Sequence, residues 1–158
     1  MFTMQRYIMM SALILLIILG LGYWWFGFHA PKDYERTTVT IRNRTFEVDI
    51  ADTVTKQVQG LSGRPSLGEN EGMLFIFSGT SDRAFWMKDM NFPIDMIWIK
   101  GDRVAGFTAN AMPEPEKSVF SLTLYKSPEP VDKVLEVPAG TAQKLQINVG
   151  DTVAITNR

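Results

Sequence analysis

Two patterns of apolar residues divide this chain. From Tyr7 to Phe28 it reads YIMMSALILLIILGLGYWWFGF, with no charged residue and Ser11 as its only small polar side chain. About 20 apolar residues are what a helix needs to cross the hydrocarbon core of a bilayer, so the run predicts a transmembrane helix over 7–28. Tyr23, Trp24 and Trp25 gather at its C-terminal end, where amphipathic rings favour the membrane–water interface. A cleaved signal peptide has a shorter apolar core and a small-x-small site. Phe28-His29-Ala30 puts a bulky residue where a small one is wanted, so the segment reads as a retained signal anchor. Residues 29–36 form a polar linker, and 37–158 a separate domain.

In that domain the period changes to short strands. Thr38–Arg42 and Thr45–Ala51 alternate or carry β-branched residues, with a hairpin turn at Asn43-Arg44. Asp52 or Thr53 caps a short helix whose apolar residues Val54, Val58 and Leu61 fall at i, i+4 and i+7; Gly60, Gly63 and Pro65 stop it. Met73–Phe77 is apolar on both faces, as a central, doubly covered strand would be. Ala84–Lys88, Ile94–Lys100 and Arg103–Thr108 read as further strands, followed by a break at Met112-Pro113-Glu114-Pro115-Glu116. Val134–Val137 is a strand, Thr141 an N-cap for a short helix over Ala142–Ile147, and Thr152–Thr156 a closing strand. This predicts an α+β domain: a compact, curled and mostly antiparallel β-sheet, barrel-like or open, with two short helices.

Composition narrows the function classes. The 158 residues include no cysteine, one histidine (His29) and a net charge of −1. Neither disulfides nor thiolate chemistry can operate, and with no basic run nucleic acid is not an expected partner. The α-amine and Arg6 flank the apolar run on one side, while Lys32, Asp33, Glu35 and Arg36 nearly cancel on the other. A short tail before a hydrophobic helix favours an N-terminus inside and a domain outside the cytoplasm. The expected location is therefore a single-pass membrane protein with its C-terminal domain on the periplasmic side of a cell envelope, in contact with lipid through 7–28.

The densest chemistry lies between Phe85 and Ile99. Strand periodicity puts Trp86 and Lys88 on one face of the first strand, and Asp95 in an otherwise apolar row of the next. A buried carboxylate needs a partner. Asp95 either accepts backbone N–H groups from the Met90–Pro93 loop or pairs with Lys88, which would make it a strut, or it flanks a ligand pocket with Lys88 and Trp86. No Ser/His/Asp or Cys/His set is present, so no catalytic residues are assigned. An envelope hydrolase or transferase using Asp95 or Glu136 as general acid/base, with Lys88 as electrostatic stabiliser, is the enzymatic alternative. Met87, Met90, Met96 and Met112 raise a Cu(I)-binding alternative, against the plainer reading of Met as core filler. No metal site and no cofactor are assigned.

These residues, taken in order, resemble the DUF192 family (UPF0127, COG1430). The matching stretches are Gly60-Leu61 with Arg64 and Leu67; Gly72-Met73-Leu74-Phe75-Ile76-Phe77; Phe85-Trp86-Met87-Lys88; Pro93-Ile94-Asp95; Tyr125-Lys126-Ser127; and Val134 to Gly140, then Gly150-Asp151. They cover about 46–153. Asp89-Met90 stands where the family commonly has Asn-Thr, and Ser62-Gly63 where it often has Met-Phe. The resemblance implies a compact β-rich α+β domain and no established reaction. The expected function is therefore a ligand-binding or envelope assembly module, using Trp86, Lys88 and Asp95, with Arg64 and Tyr125, to hold a polar ligand or an envelope protein.

Overall fold

The computed structural model describes residues 34–156. The expected transmembrane helix over 7–28 lies outside them; among the described residues no helix is long and apolar enough to cross a membrane. The strands are β1 (Arg36–Ile41), β2 (Arg44–Ala51), β3 (Glu71–Ser81), β4 (Ala84–Phe85), β5 (Ile94–Lys100), β6 (Arg103–Ala111), β7 (Tyr125–Lys126), β8 (Val131–Pro138) and β9 (Val153–Thr156). Two short helices, α1 (Val54–Gln59) and α2 (Thr141–Lys144), complete the α+β domain.

Seven strands form one sheet in the order β6-β5-β8-β3-β2-β1-β9, and β4 pairs with β7 apart from it. Only β2 and β3 run parallel, joined by the crossover through α1; the other ladders are antiparallel. The sheet curls until its edges meet at one corner. There Val104 N–H donates to Asp151 O (2.9 Å), Gly150 N–H to Val104 O (2.8 Å) and Val153 N–H to Asp102 O (2.8 Å). Pairing these edges satisfies backbone groups that an open sheet would leave exposed.

Each face of the sheet carries a core. All seven strands contribute to one, through residues such as Val39, Phe46, Leu74, Ile97, Val104, Leu135 and Val153, which places it inside the curl. The other lies on the outer face and joins Met73, Phe75, Ile94, Met96, Trp98 and Val134 to Leu61, Met87 and Met90 from the loops. The double coverage expected of Met73–Phe77 is met: Met73 and Phe75 face outward and Leu74 inward.

Several local expectations are corrected. The first hairpin turns at Arg42-Asn43, one residue early, with Arg42 in the left-handed region (φ 54°). The expected strand Ala84–Lys88 ends at Phe85. Lys88 then enters a turn with Asp89 at φ 53°, which removes the shared strand face assumed for Trp86 and Lys88. Thr53 does cap α1, its side chain accepting from Lys56 N–H. However, Val54 and Val58 are 76 % and 67 % exposed, and only Leu61, beyond the helix, is buried. In α2 the N-cap is Gly140, at φ 82°, while the Thr141 hydroxyl donates back to Pro138 O.

Candidate functional site

The outer core opens into a cavity of about 340 Å³. Its floor comes from β3 and β8, through Phe75 and Glu136; α1 and the turn after it supply Val58, Leu61 and Ser62; the β4 region supplies Arg83, Phe85 and Trp86. Gly60 ends α1 with its Cα against the Phe75 ring, where an added Cβ would lie 3.4 Å from Cζ. Ser62 Oγ donates to Lys88 O (2.7 Å) and Gly63 N–H to Asp89 O (2.8 Å), tying the post-helix turn to the 87–90 loop.

The walls are aromatic. Phe85 meets Phe75, Trp98 and Phe77 edge to face at centroid distances of 4.9, 5.6 and 6.4 Å. These are the arrangements that ring quadrupoles favour. The Arg83 guanidinium lies 3.8 Å from the Phe77 centroid, and its Nη2 donates to Gly79 O at 2.7 Å. Its Nε is buried and has no hydrogen-bond partner among the described residues. Trp86, 43 % exposed, stands at the cavity mouth.

Glu136 is the chemically unusual group. It is directly opposite Met73 on β3 and Met96 on β5, so its side chain shares their outward face. It is 4 % exposed, and among the described residues no group hydrogen-bonds or ion-pairs with its carboxyl. Burial raises its pKa from the ordinary 4.5 to about 8, with the Arg64 charge pulling weakly the other way. At neutral pH it is a neutral acid at the bottom of a mostly apolar pocket.

Asp95 makes the opposite use of burial. Facing the interior of the curl, it accepts N–H groups from Asn110 (2.8 Å), Gly140 (3.2 Å) and Ala142 (2.8 Å). It thereby ties the end of β6 and the start of α2 to β5. Its partners are neither the 90–93 loop nor Lys88. In the β5–β8 register Asp95 faces Val137 while Met96 faces Glu136, so the two carboxyls point to opposite faces.

The remaining sequence-predicted residues are dispersed around the cavity. Lys88 pairs with Asp89 at 2.5 Å in a neighbouring cavity that shares only Met90 with the first. Arg64 donates to Asp49 Oδ2 at 2.7 Å and stacks on Tyr34, 5.5 Å from its centroid. Tyr125 pairs with Phe85 across β4–β7 and packs against the outer core from outside. Met87, Met90 and Met96 are packed in that core, whereas Met112 is exposed. The structure thus gathers Trp86 and Glu136 in one cavity and leaves Asp95 on the other side of the sheet. Arg83 and the aromatic floor were missed, although Arg83 precedes the Phe85-Trp86 motif by only two residues.

The profile of one protein family, DUF192 (Uncharacterized ACR, COG1430), matches residues 37–155. The chain belongs to this family. Among solved structures, a proposed transcription regulator from Sinorhizobium meliloti 1021 is similar at 30% identity and a TM-score of 0.72, over 80% of this chain and 98% of that one. A protein of unknown function from Novosphingobium aromaticivorans DSM 12444 is similar at 31% identity and a TM-score of 0.71, over 80% of this chain and 89% of its own. No curated protein matches the chain. The Sinorhizobium chain is matched over 98% of its own length, so it holds little beyond the matched domain.

Proposed function

We propose that this DUF192 domain is a binding module, held at a membrane by the apolar segment 7–28, that seats a ligand in the cavity floored by Glu136. One observation carries the reading. A protonatable carboxyl, 4 % exposed, faces a mostly apolar cavity, and among the described residues no group hydrogen-bonds to it. Buried polar groups ordinarily have partners, and an apolar pocket with one or two convergent polar groups is the usual form of a small-molecule site. Trp86 contributes at the mouth, and Arg64 acts through its charge on Glu136 rather than by lining the cavity. The location follows the apolar run and its interfacial aromatics; protease protection of the domain in intact cells, lost on opening the envelope, is the expected result.

A fragment screen on the isolated domain, followed by NMR, tests the binding reading. Ligands are expected to move the Phe75, Phe85 and Met90 signals and to weaken in Glu136→Gln. Fragments that gather elsewhere, or bind this cavity indifferently to Glu136→Gln, would refute it.

A second reading, an envelope hydrolase or transferase, draws support from the same carboxyl. A pKa of about 8 suits a general acid at neutral pH, and Asp82 lies on the rim as a second carboxylate. Asp95, on the other face, has no part in it. Turnover of an ester, amide or glycoside by the domain, abolished in Glu136→Gln, would favour this reading over simple binding.

A further inference from the structure

We infer that the Glu136 cavity takes an organic cation, an ammonium or guanidinium group seated between the buried carboxyl and the aromatic walls. This rests on the binding reading above and specifies its ligand class.

The lining leaves few polar groups for a ligand. Gln57 Nε2 donates to Ile76 O (2.8 Å), Gln59 Nε2 to Ser62 O (3.0 Å) and Ser62 Oγ to Lys88 O (2.7 Å). With those donors engaged, the charged groups of the lining are the Glu136 carboxyl at the floor and Asp82 and Arg83 at the rim. Phe75, Phe77, Phe85 and Trp86 supply ring surface, whose faces attract cations and repel anions. An anion would meet that ring surface beside a carboxyl, with only the Arg83 guanidinium, already held by Phe77 and Gly79 O, to attract it. A cation gains from both, and Glu136 supplies the counter-charge that a buried ion requires.

The wall already shows this preference. Phe77 holds the Arg83 guanidinium at 3.8 Å from its centroid, so the cavity presents a ring face in cation-binding geometry to a group of its own chain. Arg64, whose charge acts on Glu136, pairs at 2.7 Å with Asp49, a carboxylate that Arg36 shares at 3.0 Å, and does not line the cavity. Among the described residues no ion pair joins Asp82 and Arg83; the Arg83 guanidinium is held by the Phe77 face and Gly79 O. When a cation binds, Glu136 ionises, its proton passes to solvent, and the seated pair carries no net charge.

Calorimetry on the isolated domain with choline, its neutral isostere 3,3-dimethylbutanol, butyrate and a blocked lysine tripeptide tests the assignment. Choline or the lysine peptide is expected to bind, releasing about one proton per site near pH 7 and tightening about tenfold from pH 6 to pH 7 before levelling above pH 8. The neutral isostere is expected to bind at least ten times more weakly. Glu136→Gln should lose at least tenfold, with its fold checked by NMR, and Arg83→Ala should bind cations as well or better, since a like charge leaves and the Phe77 face is freed. Binding of choline alone points to a free small cation, and of the peptide alone to a side chain of a partner protein. Butyrate binding that fails in Arg83→Ala would overturn the cation and leave the cavity a binding site. Silence of both cations while screened fragments occupy the cavity overturns the cation alone; silence of both cations and of every fragment removes both readings.

Discussion

Glu136 should make the domain less stable as pH rises, and replacing it with glutamine should remove that dependence. In the folded domain burial lifts its pKa from 4.5 to about 8. The unfolded chain therefore releases this proton first, near 4.5, while the folded one keeps it. Between those limits the unfolded state binds fewer protons, so folding stability falls as pH rises and levels off above about 8. At about 1.4 kcal/mol per pH unit, a gap of roughly 3.5 units corresponds to about 5 kcal/mol over the whole window. That is a large share of the roughly 5–15 kcal/mol available to a domain. Urea unfolding of wild type and Glu136→Gln from pH 5 to pH 9 measures it. The variant is expected to match wild type at pH 5 and exceed it by several kcal/mol at pH 8.5. No histidine confuses the window, because the chain's only one, His29, precedes the domain. The shifted aspartates and glutamates elsewhere are all lowered, so they act at more acid pH and cancel in the comparison. Parallel profiles for the two proteins would refute the burial argument.

The two residues expected from sequence to form a pair should separate in their effects. Asp95→Ala strands three backbone N–H groups and is expected to cost about 3–5 kcal/mol, a fall of well over about 10 °C in Tm, whereas Lys88→Ala, losing an exposed pair with Asp89, should cost less than about 1 kcal/mol. Equal losses in thermal unfolding would contradict their placement. Gly72→Ala puts a Cβ 2.6 Å from Glu136 O and is expected to cost about 1–3 kcal/mol or more, while Gly79→Ala on the same strand meets nothing within 4 Å and should be nearly neutral by urea unfolding. Glu114, bonded to Lys117 and Thr123, has its pKa lowered to about 2, so its hold on Thr123 should persist well below pH 4.5 and fail only as pH falls through about 2; a Thr123 amide shift titrating near pH 4.5 would show the contact absent.

The elements that could be read from sequence were those in which period and burial agree. Met73–Phe77 and Ile94–Ile99 are apolar on both faces because each is sandwiched between the two cores, and no competing pattern fits them. Where a turn residue overrode the period, the reading failed. Ala84–Lys88 alternates like a strand, but Asp89 takes a positive φ and β4 stops after Phe85. Val54, Val58 and Leu61 keep helical spacing, yet only Leu61 meets the core, because α1 ends at Gly60 and its valines border the cavity instead. The short strand β7 and the turn at 119–121 had no periodic signal to find. Asp95 as a hydrogen-bonded strut was among the alternatives, but its partners come from 15 to 47 residues away in sequence. No local pattern reports such contacts.

Glu136 was within reach of the sequence, and the reason lies in parity. In Val134-Leu135-Glu136-Val137 both neighbours of the glutamate are apolar, and so is the residue two before it; a strand with that pattern is covered on both faces, and the carboxyl must be buried on one of them. What parity cannot supply is which face, since a one-residue slip in register exchanges them. Leu135 opposite Leu74 and Ile97, and Glu136 opposite Met73 and Met96, settle it. The inner face is closed by the curl and by α2, and the polar group it holds, Asp95, is fully supplied with N–H donors. The outer face is closed by loops, the β4–β7 pair and a two-turn helix, with room left between them. A buried acid placed inward would have had to be satisfied by backbone, as Asp95 is. Placed outward, it faces a cavity that the described residues do not fill. The register that assembles the sheet is therefore also what turns an ordinary strand glutamate into the cavity's one ionisable floor group.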